Sequence, residues 1–170
     1  LKTISNIKIV NRNKGVGLFN FVQGATISNL TLENVTVNSS TPNYDCVAAL
    51  IGSAYGAKLN NINVTSGAIY GRINTGSIVG VTYKSTGKTT INNVKNSANV
   101  IVGGGLGAGG LVGTSETGEI LDISNSINYG NVTSDNNYVG GIIGLLRTGT
   151  STIKSSIRNC INYGEVKGET

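Results

Sequence analysis

The chain has 170 residues, of which 38% are hydrophobic and only 12% are charged, and it contains 25 glycines and one proline. This apolar content argues against a disordered chain, and the abundance of Gly, Asn, Ser and Thr argues against a helical protein. The net charge is +5, but the basic residues are scattered from Lys2 to Lys167. The sequence therefore lacks the concentrated basic surface that a nucleic-acid-binding protein needs.

No apolar stretch is long enough to be a secretory leader or a membrane span, so no membrane insertion is expected. The chain begins inside its own sequence pattern, at Leu1-Lys2-Thr3-Ile4. We therefore expect a single domain, residues 1–170, taken from a larger protein, with neighbouring domains of the same chain among its partners.

A short motif, an aliphatic residue followed two places later by asparagine, recurs along the whole chain. Its asparagines are separated by 23, 32, 32, 32 and 34 residues, and they are Asn6, Asn29, Asn61, Asn93, Asn125 and Asn159. Repeats of this length indicate a solenoid, in which each unit buries its apolar face against the next.

Each unit also contains a glycine-bounded aliphatic run before the asparagine and, in later units, an Asn-Tyr-Gly segment after it. The runs include Gly76–Gly80, Gly109–Gly113 and Gly140–Gly144, and the later segments begin at Ile127 and Ile161. We interpret each run as one short buried strand that ends at a glycine. Each unit then has about three short strands separated by turn residues.

Three stacked strands per unit predict an all-β fold, a right-handed parallel β-helix of about five to six coils. The aliphatic residues around the asparagines should point inward; they are Ile27 and Leu30, Leu59 and Ile62, and Ile91 and Val94. The asparagines should form sharp left-handed corners, because asparagine tolerates that backbone conformation. Their amides should hydrogen-bond from coil to coil as a ladder.

The intervals of 32 to 34 residues leave spare residues that must form loops. We place loops at residues 38–45, 84–88, 103–107, 114–119 and 147–151. The three that follow Gly80, Gly113 and Gly144 occupy one register, and we therefore expect them to project from one face. In repeat proteins such a face often binds partners.

The two-glycine signature Gly110-Leu111-Val112-Gly113 and Gly141-Ile142-Ile143-Gly144, with its Asn corner and Asn-Tyr-Gly return, resembles the GLUG repeat. GLUG repeats occur in large bacterial cell-surface proteins, including adhesin-like proteins and a family of immunoglobulin A-cleaving metallopeptidases. The resemblance implies a secreted or wall-attached, extracellular protein with a β-helical region. It implies no catalytic residue in this chain.

A search for catalytic chemistry gives a negative answer from the residues themselves. The chain has no histidine, and its cysteines, Cys46 and Cys160, are too far apart in the repeat array to pair. A zinc site and a His-activated nucleophile are thereby ruled out, so we expect no cofactor, no metal and no enzyme activity. The alternative is a polysaccharide lyase or glycosidase that uses acids such as Asp122, Asp135 and Glu169.

Tyrosines are the strongest candidates for contact with a partner, because flat rings commonly bind sugars. We name five as candidate binding residues: Tyr44, Tyr83, Tyr129, Tyr138 and Tyr163. Tyr129 and Tyr163 share one register, and simple stacking on neighbouring coils is the plainer interpretation of that pair. The expected function is non-catalytic: adhesion, or a rigid spacer that presents loops to a host glycoprotein or polysaccharide.

Overall fold

The chain is a parallel β-solenoid of about five turns, as the sequence predicts. The computed structural model describes residues 1–11, 15–39, 46–135, 138–147, 152 and 154–168. All strand pairs in this part of the chain are parallel, and each strand pairs with its equivalents in the coils before and after it. The described residues contain no helix, and so none that could cross a membrane.

Four sheets run along the solenoid, and we label them A to D in the order in which each coil visits them. Sheet A contains Lys2–Ser5, Thr26–Glu33, Lys58–Val64, Thr89–Asn96, Leu121–Ser124, Ile127–Asn128, Ser156–Arg158 and Ile161–Asn162. Sheet B contains Lys8–Asn11, Val35–Ser39, Gly67–Gly71, Asn99–Val102, Val132–Ser134 and Val166–Gly168.

The remaining two sheets are shorter. Sheet C contains Gly15–Val16, Cys46–Val47, Asn74–Gly76, Ala108–Gly109 and Val139–Gly140. Sheet D contains Phe19–Gln23, Ile51–Tyr55, Val79–Tyr83, Val112–Ser115 and Ile143–Leu146. The expectation of three strands per coil was therefore wrong, since each glycine-bounded run is not one strand but a turn that joins a strand of sheet C to a strand of sheet D.

The interior is aliphatic, and it contains the side chains that the sequence analysis pointed inward. Leu59, Ile62, Ile91 and Val94 are fully buried, while Ile27 and Leu30 pack against the same cluster as partly buried residues. The aliphatic pairs of the C–D turns lie there too, with Leu111 and its equivalents in the centre. Neither Cys46 nor Cys160 forms a disulfide bond.

Each repeating asparagine is a left-handed residue, with φ between 51° and 58° at Asn6, Asn29, Asn61, Asn93, Asn125 and Asn159. From Asn29 onward these residues bend sheet A rather than separate two sheets. The bend explains why the aliphatic residues on both sides of the asparagine point inward. A regular strand would direct residues three positions apart to opposite faces, and the left-handed residue resets that alternation.

The ladder of these amides differs from the predicted one at two places. Asn61 donates to Asn29 at 2.7 Å and Asn93 donates to Asn61 at 3.3 Å, but Asn125 donates to Asn92 instead of Asn93. Asn159 then donates to Asn125 at 3.2 Å. Asn125 thus bonds to a residue one position earlier in the preceding coil, and the series of amide hydrogen bonds along the axis continues.

Asn6 does not stack on Asn29, so the ladder predicted for these asparagines does not include that pair, and the spacing of 23 is not the length of a coil. Lys2–Ser5 pairs with residues 30–33, and Asn6 accepts a hydrogen bond from Asn34 at 2.8 Å. Asn34, with φ of 51°, is a second left-handed asparagine that turns the chain from sheet A to sheet B. Asn34 is the one left-handed asparagine among the described residues that lies outside the repeat recognised in the sequence.

Substitutions at Asn61 should separate backbone conformation from side-chain hydrogen bonding. Asn61→Ala and Asn61→Gly both remove the amide, but only alanine pays the cost of a left-handed backbone, about 1–2 kcal/mol. We expect urea denaturation to show the alanine variant to be the less stable by about that amount. At Asn60, in ordinary strand conformation, the order should reverse, because glycine is the poorer strand residue. Equal stability of the two Asn61 variants would contradict the left-handed bend.

The C–D turn forms a narrow arch that is covered on both faces. Every residue from Asn74 to Thr82 is buried. A Cβ atom on Gly113 would lie 2.5 Å from the backbone nitrogen of Thr75 in the preceding coil, and a Cβ on Gly80 would lie 2.5 Å from that of Val47. The closing glycines of the repeat are therefore needed because the backbones of sheets C and D approach too closely for any side chain.

The tip of the arch lies against a ladder of three asparagines, the buried Asn96 and Asn128 and the partly buried Asn162, which we call the inner ladder. Asn96 donates to Asn128 at 2.7 Å, and Asn128 donates to Asn162 at 2.8 Å. Asn96 also donates to the carbonyl of Gly110 at the tip of an arch. The arch thus extends across the coil to the corner between sheets A and B. The glycine-bounded run and the Asn-Tyr-Gly segment of the repeat therefore pack against each other.

Candidate functional site

The loops between sheets D and A give the solenoid its most irregular surface. The first two coils make this D–A corner with short Gly-Ala connections, at residues 24–25 and 56–57, whereas the third uses residues 84–88 and the fourth residues 116–120. The loops after Gly80 and Gly113 therefore share one corner, as predicted. Thr114 and Ser115, which were assigned to a loop, belong to a strand of sheet D.

Other predicted loops have different positions. Residues 103–107 form the expected connection, but it joins sheet B to sheet C at another corner. Asn38 and Ser39 belong to a strand of sheet B, and residues 40–45 lie outside the described part of the chain. Residues 148–151 also lie outside it.

A groove forms at the D–A corner where loop 84–88 overhangs the short Gly-Ala connection of the coil beneath it. A Cβ on Gly56 would lie only 2.6 Å from Ser85 Oγ, which shows how closely the loop covers that connection. The groove has a volume of about 230 Å³, and its lining consists of Gln23, Gly24, Tyr55, Gly56, Lys58, Ser85, Thr86 and Gly87. We call it the D–A groove.

The loop that forms the overhang is held by its own hydrogen bonds. Ser85 Oγ donates to the carbonyl oxygen of Gly87 and accepts from the Gly87 backbone N–H at 3.2 Å. Gly24 and Gly56 beneath it have φ of 64° and 62°. The two short connections can adopt this left-handed conformation because glycine has no Cβ atom.

An aromatic column runs along the outside of sheet D, and its middle ring, Tyr55, forms part of the groove lining. We use this name for Phe21, Tyr55 and Tyr83, which come from three successive coils. The ring centroids of Phe21 and Tyr55 are 4.9 Å apart at an interplanar angle of 37°, and those of Tyr55 and Tyr83 are 4.9 Å apart at 16°. Phe21, at the end of the column, is 55% exposed. The column therefore offers an open ring face at Phe21, whereas Tyr55 has a ring on each side.

Tyr83 is held by a polar contact of its hydroxyl group as well as by stacking on Tyr55. Its hydroxyl oxygen lies 3.5 Å from Cys46 Sγ in sheet C. Burial raises the pKa of Tyr83 above its ordinary value, and the contact with Cys46 raises that pKa further. The Tyr83 hydroxyl is therefore neutral at all physiological pH values and contributes no charge to the corner.

Most charged groups near the corner are neutralised by a partner. Lys88 forms an ion pair with Asp122, which also accepts a hydrogen bond from Ser156 at 2.9 Å, and Arg147 pairs with Glu116 at 3.2 Å. Partial burial alone would raise the pKa of Asp122, but the bonds from Lys88 and Ser156 outweigh it and lower the pKa. Lys58, by contrast, has no ion-pair partner among the described residues.

No family model matches this sequence, and neither the curated proteins nor the solved structures contain a match to it. The functional interpretation consequently depends on the geometry of the chain itself.

The five tyrosines named from the sequence do not form one patch. Tyr83 lies at the D–A corner; Tyr129 and Tyr163 lie just beyond sheet A, at the A–B corner; Tyr138 precedes sheet C. Tyr129 and Tyr163 stack with centroids 5.3 Å apart at 11°, which agrees with a ladder contact. Tyr44 lies outside the described residues.

The residues that surround the groove were largely missed. Phe21, Gln23 and Lys58 have no distinctive motif, and the sequence shows only that Gln23-Gly24-Ala25 and Tyr55-Gly56-Ala57 are similar. That similarity could have identified the two short corners. The groove itself depends on the contrast with the longer loop of the next coil.

The acids that would serve a glycan-cleaving enzyme are separated. Asp122 is paired with Lys88 on sheet A, whereas Asp135 follows the end of sheet B. Glu119 is buried, and Glu169 lies outside the described residues. Within the described residues no three His, Cys, Asp or Glu side chains are grouped as metal ligands.

Glu119 is the acid with the most unusual environment. It is 4% exposed, and its Oε1 accepts the Thr89 backbone N–H at 3.1 Å, while Oε2 is buried without a hydrogen-bond partner. Burial raises the pKa of Glu119 above its ordinary value. The folded state therefore favours the neutral form, and deprotonation of Glu119 destabilises the fold.

Substituting Glu119 should change how stability depends on pH. Because the pKa is raised on folding, the contribution of Glu119 is favourable below its unfolded-state pKa and is lost as the pH rises through the folded-state pKa. We expect the free energy of unfolding of Glu119→Gln, relative to wild type, to increase between pH 4 and pH 7 in urea titrations. A constant difference for Glu119→Gln would contradict the assignment.

Proposed function

We propose that this chain is a non-catalytic β-helix module of a bacterial cell-surface protein, and that it binds a host glycoprotein or polysaccharide at the D–A corner. The module acts as a rigid support, because its coils are joined by parallel strand pairs along the whole axis. The resemblance to GLUG repeats supports an extracellular location, since such repeats occur in adhesin-like surface proteins.

The observation that carries this proposal is the coincidence of three features at one corner. The aromatic column, the D–A groove and the longer loops of later coils all lie where sheet D passes to sheet A. Aromatic edges beside hydroxyl and amide groups form a surface that is suited to sugars, which carry both apolar C–H and polar O–H groups.

Both ends of the solenoid expose apolar residues, which supports contact with neighbouring segments of the same protein. The first coil exposes Leu1 and Val10, and the last described coil exposes Ile161 and Tyr163. Strand edges at these ends have no partner within the described residues. Because such edges are prone to pair with other chains, we propose that adjoining parts of the same protein cover them.

Binding of the purified, folded chain to an array of host glycans, plant and bacterial polysaccharides and immunoglobulin A tests the function. We expect saturable binding to a subset of the sugars, with eluted oligosaccharides of unchanged length. Tyr55→Ala should reduce this binding, because it removes the middle ring of the column and part of the groove wall.

Tyr70→Ala is the matched control, since Tyr70 is an exposed tyrosine on sheet B, away from the groove. Its binding should equal that of wild type once circular dichroism shows that both variants are folded. Shortened oligosaccharides would contradict the non-catalytic assignment. Failure to bind any compound at high protein concentration would leave only the spacer role and reject the binding role.

A further inference from the structure

We infer that the D–A groove is a subsite for a carboxylated sugar residue, whose carboxylate is bound by Lys58. This inference rests on the proposed binding function and specifies the chemical class of its ligand. Its argument combines the shape of the groove, its polar groups, its unpaired charge and the orientation of its aromatic wall.

The size of the groove suits a single sugar unit. Its volume of about 230 Å³ lies below the roughly 300–1,000 Å³ typical of sites for drug-sized ligands. Loop 84–88 forms one wall, and the two short glycine connections form an open floor. At Gly24 and Gly87 a Cβ atom would meet nothing within 4 Å, so the backbone there is accessible to a ligand. A longer saccharide can continue out of the groove along the column.

The polar groups of the groove are those that bind sugar hydroxyls. Gln23 supplies an amide with both donors and an acceptor, and Thr86 supplies a hydroxyl. Ser85 already bonds within its own loop, so its role is to hold the wall in place. None of the lining residues is acidic. An anionic ligand therefore meets no like charge among the side chains that form the groove.

Charge is the feature that selects an acid over a neutral sugar. The neighbouring cations Lys88 and Arg147 are each paired with a carboxylate, whereas the described residues provide no such partner for Lys58 or Lys84. Of these two lysines, only Lys58 lines the groove. A cation left unpaired in a concave, partly enclosed site is a natural partner for a carboxylate of the ligand. A carboxylated sugar supplies that charge together with the hydroxyls that the other groups bind.

Because the rings of the column stack on one another, charge contributes more to ligand binding than stacking of the ligand on an aromatic ring does. Both faces of the Tyr55 ring are occupied, by Phe21 on one side and Tyr83 on the other, with centroids at 4.9 Å in each case. A sugar in the groove consequently meets the edge of Tyr55 and cannot stack on its face. Binding must then depend mainly on hydrogen bonds and on Lys58, and it should weaken at high ionic strength.

Isothermal titration calorimetry with the folded chain tests the inference. The probes are trigalacturonic acid and sialyllactose, which carry carboxylates from two different sugar classes, and neutral lactose. We expect at least one acidic probe to bind about tenfold more tightly than lactose, and added salt to weaken it. Lys58→Gln should weaken that binding about tenfold, the usual effect of removing a hydrogen bond to a charged group.

Lys95→Gln is the matched control, because Lys95 is an exposed lysine on sheet A beyond the asparagine bend. It should bind like wild type. Equal binding of lactose and the acidic probes, or unchanged binding by Lys58→Gln, would overturn the inference while leaving the proposed binding function intact. Absence of binding both here and on the glycan array would reject the two together.

Discussion

Gly110→Ala is expected to destabilise the solenoid by roughly 3 kcal/mol or more, or to prevent folding. The added Cβ would lie 2.0 Å from the carbonyl oxygen of Gly141 and 2.4 Å from Asn128 Nδ2. The first contact is with the backbone of the next coil, and therefore it cannot be relieved by a rotamer change. The midpoint of urea denaturation and the yield of folded protein measure the effect.

Gly103→Ala controls for the loss of a glycine as such. Gly103 lies in a loop between sheets B and C, and an added Cβ there would meet nothing within 4 Å. We expect its stability to stay within about 0.5 kcal/mol of wild type. Similar midpoints for the two variants would show that the arch does not lie against the inner ladder as described.

Asn128→Ala is expected to cost about 3–4 kcal/mol, because it removes the centre of the inner ladder. Asn128 accepts from Asn96 at 2.7 Å and from the Gly130 N–H at 3.2 Å, and it donates to Asn162 at 2.8 Å and to the Gly130 carbonyl at 2.7 Å. Removing the amide takes away these bonds to the N–H and carbonyl of the buried Gly130, and desolvated groups of this kind cost more than the lost bonds alone. Urea titration of the folded chain measures the difference.

Asn60→Ala is the appropriate comparison for this second substitution. Asn60 also takes part in an axial amide contact, accepting from Asn92 at 2.8 Å, but it is exposed to water. Water replaces the lost partner, and the expected cost is below about 1 kcal/mol. Equal destabilisation by Asn60→Ala and Asn128→Ala would show that burial does not determine the cost of losing an axial amide contact.

The solenoid could be predicted because its main periodic signal is local. An aliphatic residue, one spacer and an asparagine specify an inward side chain and a left-handed bend without reference to the rest of the chain. The spacing between Asn61, Asn93 and Asn125 then gives the length of a coil. Stacked parallel strands follow, because a single coil cannot bury its own apolar face.

The arch could not be predicted by the same means. A short aliphatic run between glycines is compatible with one buried strand, and nothing local shows that the chain reverses at Gly110-Leu111. The need for glycine arises from contacts with residues far away in sequence, such as Thr75 beside Gly113. These positions require glycine because residues one coil apart in sequence lie in close contact. Sequence periodicity gives no information about the distances between such residues.

The candidate site was predicted only in outline. The shared register of the loops after Gly80 and Gly113 identified the correct corner, since it requires only counting along the repeat. The groove was missed because it depends on a difference in length between neighbouring corners. Tyr83 was included because aromatic rings commonly bind sugars, whereas Phe21 and Lys58 have roles that appear only when successive coils are stacked.

Mapping the ligand by amide chemical shifts tests the central claim most directly. The ¹⁵N-labelled chain would be titrated with trigalacturonic acid and sialyllactose, and residue-specific shifts would be recorded until saturation. The account predicts that the largest shifts fall at residues 23–24, 55–58 and 85–87, with none at Tyr70 or Lys95. Saturable shifts centred on sheet B, or no shifts at the D–A groove with either sugar, would contradict it.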